Sequence, residues 1–255
     1  MIDVIPAILP KNFSELEEAM DAVAGLVPLV QIDITDGRFV SNTSWPYSGV
    51  ASGRAASYDE NFAEILAEHA DFPFLNELDF EVDLMVANPA EVWRDWVRAG
   101  AKRLIIHAES LPNAAELATF LKIIRAEVPA DESFLHIDIG VALNPDTPNS
   151  VLEPLLVGSV ANPALADFVQ FMGIARIGFQ GQLFDERVLG KISDLRARFP
   201  KVTMSVDGGV NVETAPRLVS AGANRLAIGS ALFKEEDILL ALNKIYSAIG
   251  EKEIN

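Results

Sequence analysis

Short apolar runs, each closed by a polar or glycine-containing turn, alternate along the chain with longer segments whose apolar positions recur at helical spacing. The runs at 4–9, 29–35, 78–86, 103–107, 137–143, 168–174, 202–206 and 225–228 read as strands. Helices are expected over 13–24, 60–70, 89–99, 113–127, 150–157, 185–199, 212–220 and 235–248, with Asn88-Pro89 serving as cap and first-turn proline of the third. Strict alternation of strand and helix demands a parallel sheet, and eight such units within 255 residues fill a closed (β/α)8 TIM barrel. An internal echo agrees: Arg98-Ala-Gly-Ala-Lys-Arg-Leu-Ile-Ile and Ser220-Ala-Gly-Ala-Asn-Arg-Leu-Ala-Ile are the same helix-stop-strand joint used twice. No linker or low-complexity stretch divides residues 1–255, so a single domain is expected.

The second strand sets the chemistry. Alternation puts Gln31, Asp33 and Thr35 on one face and Ile32 and Ile34 on the other. A carboxylate facing into a barrel needs a cation, donors or a proton, so Asp33 requires a partner. The seventh strand ends the same way, Ser205-Val-Asp-Gly-Gly, and offers Asp207.

Composition narrows the partners. A formal net charge of −17 argues against nucleic acid and anionic membrane surfaces, but permits a phosphorylated metabolite held by backbone amides. With no cysteine, thiolate metal sites, disulfides and a cysteine nucleophile are excluded. No stretch is long and apolar enough to span a bilayer, and a soluble, cytoplasmic protein is the simplest reading.

Barrel active sites gather where the strands end. Gln31, Asp33, Asp36, Asp83, Met85, His107, Glu109, Asn144, Met172, Asp207, Gly229 and Ser230 occupy those ends. Asp36, Asp146 and Asn211 fit turn and cap chemistry. His107 suits either core packing or the site, whereas His69 and His136 read as structural. Glycines follow three consecutive strands: Gly178 and Gly181 with Gln182, then Gly208 and Gly209, then Gly229 and Ser230. Their backbone amides are the expected grip for a phosphate.

These residues resemble the ribulose-phosphate 3-epimerase family. Gln31 to Asn42 is similar to the family's His-x-Asp-x-Met-Asp-Gly-x-Phe-Val-Pro-Asn, Pro6-Ala-Ile-Leu to its Pro-Ser-Ile-Leu, and Asp83-Leu-Met-Val-Ala-Asn-Pro to its His-Leu-Met-Val-x-Asn-Pro. Leu143-Asn-Pro-Asp-Thr-Pro, Gly178-Phe-Gln-Gly-Gln-Leu-Phe, Val206-Asp-Gly-Gly-Val-Asn and Gly229-Ser-Ala-Leu-Phe extend the likeness over nearly the whole chain. The resemblance implies an isomerase of carbohydrate metabolism acting on a phosphorylated ketose. In it Asp33 and Asp207 remove and return the C3 proton through an enediolate, Met85 and Met172 line the sugar plane, and the glycines with Ser230 hold the phosphate.

The family's metal is held by two histidines and two aspartates, and here the histidine positions are Gln31 and Asp83. Three outcomes follow. Gln31, Asp33, Asp83 and Asp207 form an all-oxygen set favouring Mg2+ or Mn2+ over Zn2+; or the site is metal-free and at least one carboxyl pKa rises; or Arg176, which departs from the family, reaches inward as the missing cation. Two further readings are a non-catalytic sugar-phosphate-binding barrel and an epimerase for a six-carbon ketose phosphate such as allulose 6-phosphate. A decarboxylase or Schiff-base aldolase lacks its lysine, because Lys102 and Lys201 precede strands and only Lys11 and Lys234 lie just past strand ends. The loop at 41–58, with Trp45 and Tyr47, suits a lid or a homo-oligomer interface equally.

Overall fold

The computed structural model describes residues 2–47, 58–128, 136–158 and 164–254. Eight parallel strands, β1 (Asp3–Ile8), β2 (Leu29–Thr35), β3 (Asp79–Met85), β4 (Arg103–His107), β5 (Asp138–Leu143), β6 (Phe168–Met172), β7 (Thr203–Asp207) and β8 (Arg225–Ile228), pair in chain order. The closing ladder joins β1 to β8, so the sheet is a closed (β/α)8 barrel without free edges.

The surrounding helices are α1 (Phe13–Asp21), α2 (Glu60–Leu66), α3 (Pro89–Arg98), α4 (Ala114–Glu127), α5 (Glu153–Leu156), α6 (Arg187–Arg198), α7 (Ala215–Ala221), α8 (Ser230–Phe233) and α9 (Ile238–Ala248). Several expected helices are shorter than their spacing suggested, and for three of them the local reason is plain. Pro154 has no N–H to donate to Ser150, so 150–157 splits into a 3-10 turn at Asn149–Val151 and α5. The Asn211 side chain accepts from the amides of Glu213 and Thr214, holding a turn where helix was expected and delaying α7 to Ala215. Asp237 accepts from Leu240 N as an N-cap, so α9 starts afresh and α8 stands alone after β8.

The strands are buried on both faces. Outward residues such as Ile32, Ile34, Leu84, Leu104 and Val206 form the main core with the helices. Trp45 belongs to this core. It is fully buried among Phe13, Phe62, Phe72 and Trp96, with ring centroids 5.2–6.2 Å away, and its indole N–H donates to Asp59 Oδ1 at 2.8 Å. The loop's described residues therefore anchor it to the barrel; the choice between lid and interface falls on 48–57, outside the described residues.

Inward residues are unusually polar. At the amino-terminal end of the strands, Arg225 pairs with Glu81 and lies over the Phe168 ring, 4.6 Å from its centroid, with Arg103 3.7 Å from the same carboxylate. Gly140 makes room for that ring: a Cβ there would stand 2.4 Å from it. Nearer the carboxyl-terminal end lie Gln31, Asp33, Asp83, His107, Gln170 and Asp207, all buried.

Candidate functional site

Strand register brings the acids together. β2 and β3 pair Asp33 with Asp83 and Thr35 with Met85, while β6 and β7 pair Met172 with Asp207. Across the barrel, one oxygen from each of Asp33, Asp83 and Asp207 lies within 4.8 Å of the others. Gln31 bridges two of them, its amide nitrogen donating to Asp33 Oδ1 at 2.8 Å and Asp207 Oδ2 at 3.2 Å. Its carbonyl oxygen is buried with no hydrogen-bond partner.

Asp83 is held from behind on both oxygens. His107 Nε2 lies 2.9 Å from Oδ1, and the Gln170 amide donates to Oδ2 at 3.0 Å. His107 thus contacts the acid cluster rather than only packing in the core. Gln170 went unsingled in the sequence, although a glutamine at an inward position of the apolar run Phe168–Met172 is the same signal that marked Asp33. Arg176, considered above as an inward cation, is exposed and stacks over the Phe179 ring at 4.2 Å.

Electrostatics follow from burial. Desolvation, then repulsion from Asp207 and Asp83, raises the Asp33 carboxyl well above the ordinary aspartate value. Asp207 is pushed up to about 7, again by burial first and Asp83 second. Burial alone would lower His107, but Asp83 and then Glu109 outweigh it and raise the imidazole to about 10. Because the folded aspartates hold protons that the unfolded chain releases near 3.8, their share of stability falls as pH rises above that value, for Asp207 until about 7. The His107 share has the opposite origin: it is complete below 6.5 and lost as pH climbs through about 10.

Asp33 and Asp207 open into a cavity of about 210 Å³ that Met85 and Met172 also line. Its wall also includes the three glycine segments: Gly178, Gly181 and Gln182 after β6, Gly208 and Gly209 after β7, and Gly229 with Ser230 at the start of α8. The turn after β7 needs glycine at both positions. Gly208 has φ +91° and Gly209 φ +70°, and a Cβ would sit 2.7 Å from Ile174 or 3.0 Å from the Phe184 backbone. Gly208→Ala is expected to cost about 1–3 kcal/mol of stability, measured by urea denaturation; an unchanged midpoint would contradict the tight turn. The Lys234 ammonium stands over the same wall, 3.3 Å from where a Cβ on Gly181 would lie. Asp36 makes the expected turn, accepting from Arg38 and Phe39 amides, and also from Ala87 N at 2.9 Å.

A family model described as "Ribulose-phosphate 3 epimerase family" matches residues 3–233. Ribulose-phosphate 3-epimerase of Bacillus subtilis is 31% identical over 251 residues, covering 96% of this chain and 98% of that protein. The chloroplastic ribulose-5-phosphate-3-epimerase of Arabidopsis thaliana is 32% identical over 250 residues, 96% of this chain and 76% of that one. Among solved structures, 3-keto-L-gulonate-6-phosphate decarboxylase from Vibrio cholerae shares the fold with a TM-score of 0.59 at 16% identity, covering 98% and 97% of the two chains. No helix among the described residues is long and apolar enough to cross a membrane.

Proposed function

Because the chain belongs to the ribulose-phosphate 3-epimerase family, we propose that it epimerises a phosphorylated ketose at C3, with Asp33 and Asp207 as the acid–base pair. The observation that carries this reading is one cavity lined by two carboxyl groups from different strands, both with raised pKa, and by three glycine segments. A carboxyl near neutrality serves equally as base and acid, which a reaction that removes a proton and returns one requires. With one aspartate ionised and the other protonated, a proton leaves C3 to the first and arrives from the second, on the opposite face of the planar enediolate. Met85 and Met172 bound that plane with polarisable, unreactive surface. The glycine segments, the amides opening α8 and the Lys234 ammonium would fix the phosphate, and with it the position of C3.

The family is divalent-metal-dependent, and the residues present fit such an ion. The three carboxylates converge, and the orphaned Gln31 oxygen turns toward them by a half-rotation of its amide. Asp33, Asp83, Asp207 and Gln31 would hold it, an all-oxygen set suited to Mg2+ or Mn2+ more than to Zn2+. Bound there, the ion would supply positive charge to offset the negative charge that develops on the substrate. Protons compete for the same oxygens, so Mn2+ is expected to raise the melting temperature more at about pH 8 than at about pH 5.5. Calorimetry with and without chelator reads this, and a pH-independent gain would count against carboxylate ligation.

The deciding experiment is exchange of substrate C3–H with deuterium from solvent, followed by NMR on ribulose 5-phosphate and on allulose 6-phosphate with Mg2+, Mn2+ or Zn2+ supplied. Exchange on the first supports a five-carbon substrate and exchange on the second a six-carbon one. Phosphosugar binding without exchange on either would replace the reading with a non-catalytic binding barrel.

A further inference from the structure

By the resemblance, Asp83 stands where the family has an imidazole ligand, and a carboxylate there brings an extra negative charge and a second oxygen that must be oriented. The structure answers both with residues outside the ligand set. We propose that His107, backed by Glu109, is a positioning residue that fixes the orientation of Asp83 as a ligand and thereby commits the site to a hard divalent cation; this rests on the metal-holding reading given above.

The argument is geometric. His107 is wholly buried at the end of β4, Nε2 at 2.9 Å from Asp83 Oδ1. On its other side Nδ1 faces Glu109 Oε2 at 3.8 Å. Glu109 is itself fixed, its other oxygen accepting from Asn144 N at 2.8 Å and from the Thr147 hydroxyl. The Phe39 ring lies against the imidazole, with centroids 5.4 Å apart. With Gln170 on Oδ2, one donor is spent on each Asp83 oxygen. A carboxylate has about four acceptor sites, so each oxygen keeps a lone pair for the cluster while the group as a whole cannot turn. Orienting partners behind a metal ligand change metal affinity by about 10- to 100-fold. A residue that only filled space would leave that affinity alone.

Mn2+ binding, read by the electron paramagnetic resonance of free Mn2+ in titrations of the full chain, tests this without any turnover. His107→Leu, which removes the donor, is expected to weaken Mn2+ binding by about 10- to 100-fold, while His107→Gln, which carries an N–H near the same place, recovers most of it. In an Asp83→His background the carboxylate to be positioned is gone, so adding His107→Leu should change affinity by no more than roughly threefold. A folded His107→Leu protein that binds Mn2+ like the parent overturns the proposal, as does an equal loss in the Asp83→His background. Should His107→Leu fail to fold, the parent chain decides: the ¹⁵N resonance of His107 Nε2 shifts on adding Mg2+ if Asp83 becomes a ligand, and its constancy would overturn the idea. A parent that binds Mn2+ in this His107-dependent way yet exchanges no C3–H supports the proposal while ending the epimerase reading. A parent that binds neither Mn2+ nor Mg2+ ends the proposal itself.

Discussion

Asp207→Asn is expected to lower the rate of C3 epimerisation by about 10²- to 10⁴-fold, the usual contribution of a positioned acid or base, with KM within a few-fold of the parent. The same holds for Asp33→Asn, and the pair carries a sharper signature than either loss alone. If the two carboxyls serve opposite faces of the sugar, one variant still exchanges the C3–H of one epimer with solvent, without converting it, and the other variant exchanges only the second epimer. Proton NMR in deuterium oxide, run on each ketose phosphate separately, reads this directly. Two variants that exchange the same epimer, or both, would sink the two-sided assignment. Unfolding is not a rival explanation, because the burial that raises both carboxyl groups means their charged forms cost stability as pH rises. A neutral isostere removes that cost, so the Asn variants should unfold at equal or higher temperature than the parent in metal-free buffer.

Trp45→Ala is expected to cost about 3–5 kcal/mol, the range for deleting a buried large aromatic. The indole is fully excluded from solvent, meets four aromatic rings and donates to Asp59 at 2.8 Å. Its removal therefore forfeits buried area, edge-to-face contacts and a hydrogen bond together, and leaves the Asp59 oxygen with only the Asn61 amide of α2. Urea denaturation at 25 °C measures it. A loss below about 1 kcal/mol would show that the loop contributes little to the core.

Trp45 also marks where the sequence stops being readable. A tryptophan in a stretch rich in serine and glycine looks like surface recognition, because nothing in its own neighbourhood says that Phe62, Phe72 and Trp96 will enclose it; those contacts are made by elements distant in the chain. The barrel was legible for the opposite reason. Its signal is the alternation of strand and helix, a local property repeated eight times, and the outward-facing isoleucines of β2 follow from period two alone. Asp33 and Asp207 were legible as well, since an inward carboxylate in an apolar strand is conspicuous. Their meeting was only an inference until the barrel closed. The hold on Asp83 was hidden, because His107 and Gln170 come from strands that no spacing rule connects to it. Helix ends failed where a single side chain, Asn211 or Asp237, competed with the backbone for an amide.

The plug formed by Arg225, Glu81 and Phe168 leaves those side chains at most 4% exposed. With its base stoppered among the described residues, the barrel admits isotope through the mouth that the sugar also uses, so bound substrate should slow the refreshing of the two acids. In a single turnover, then, hydrogen carried in on the enzyme should reach the product ahead of hydrogen from the surrounding medium.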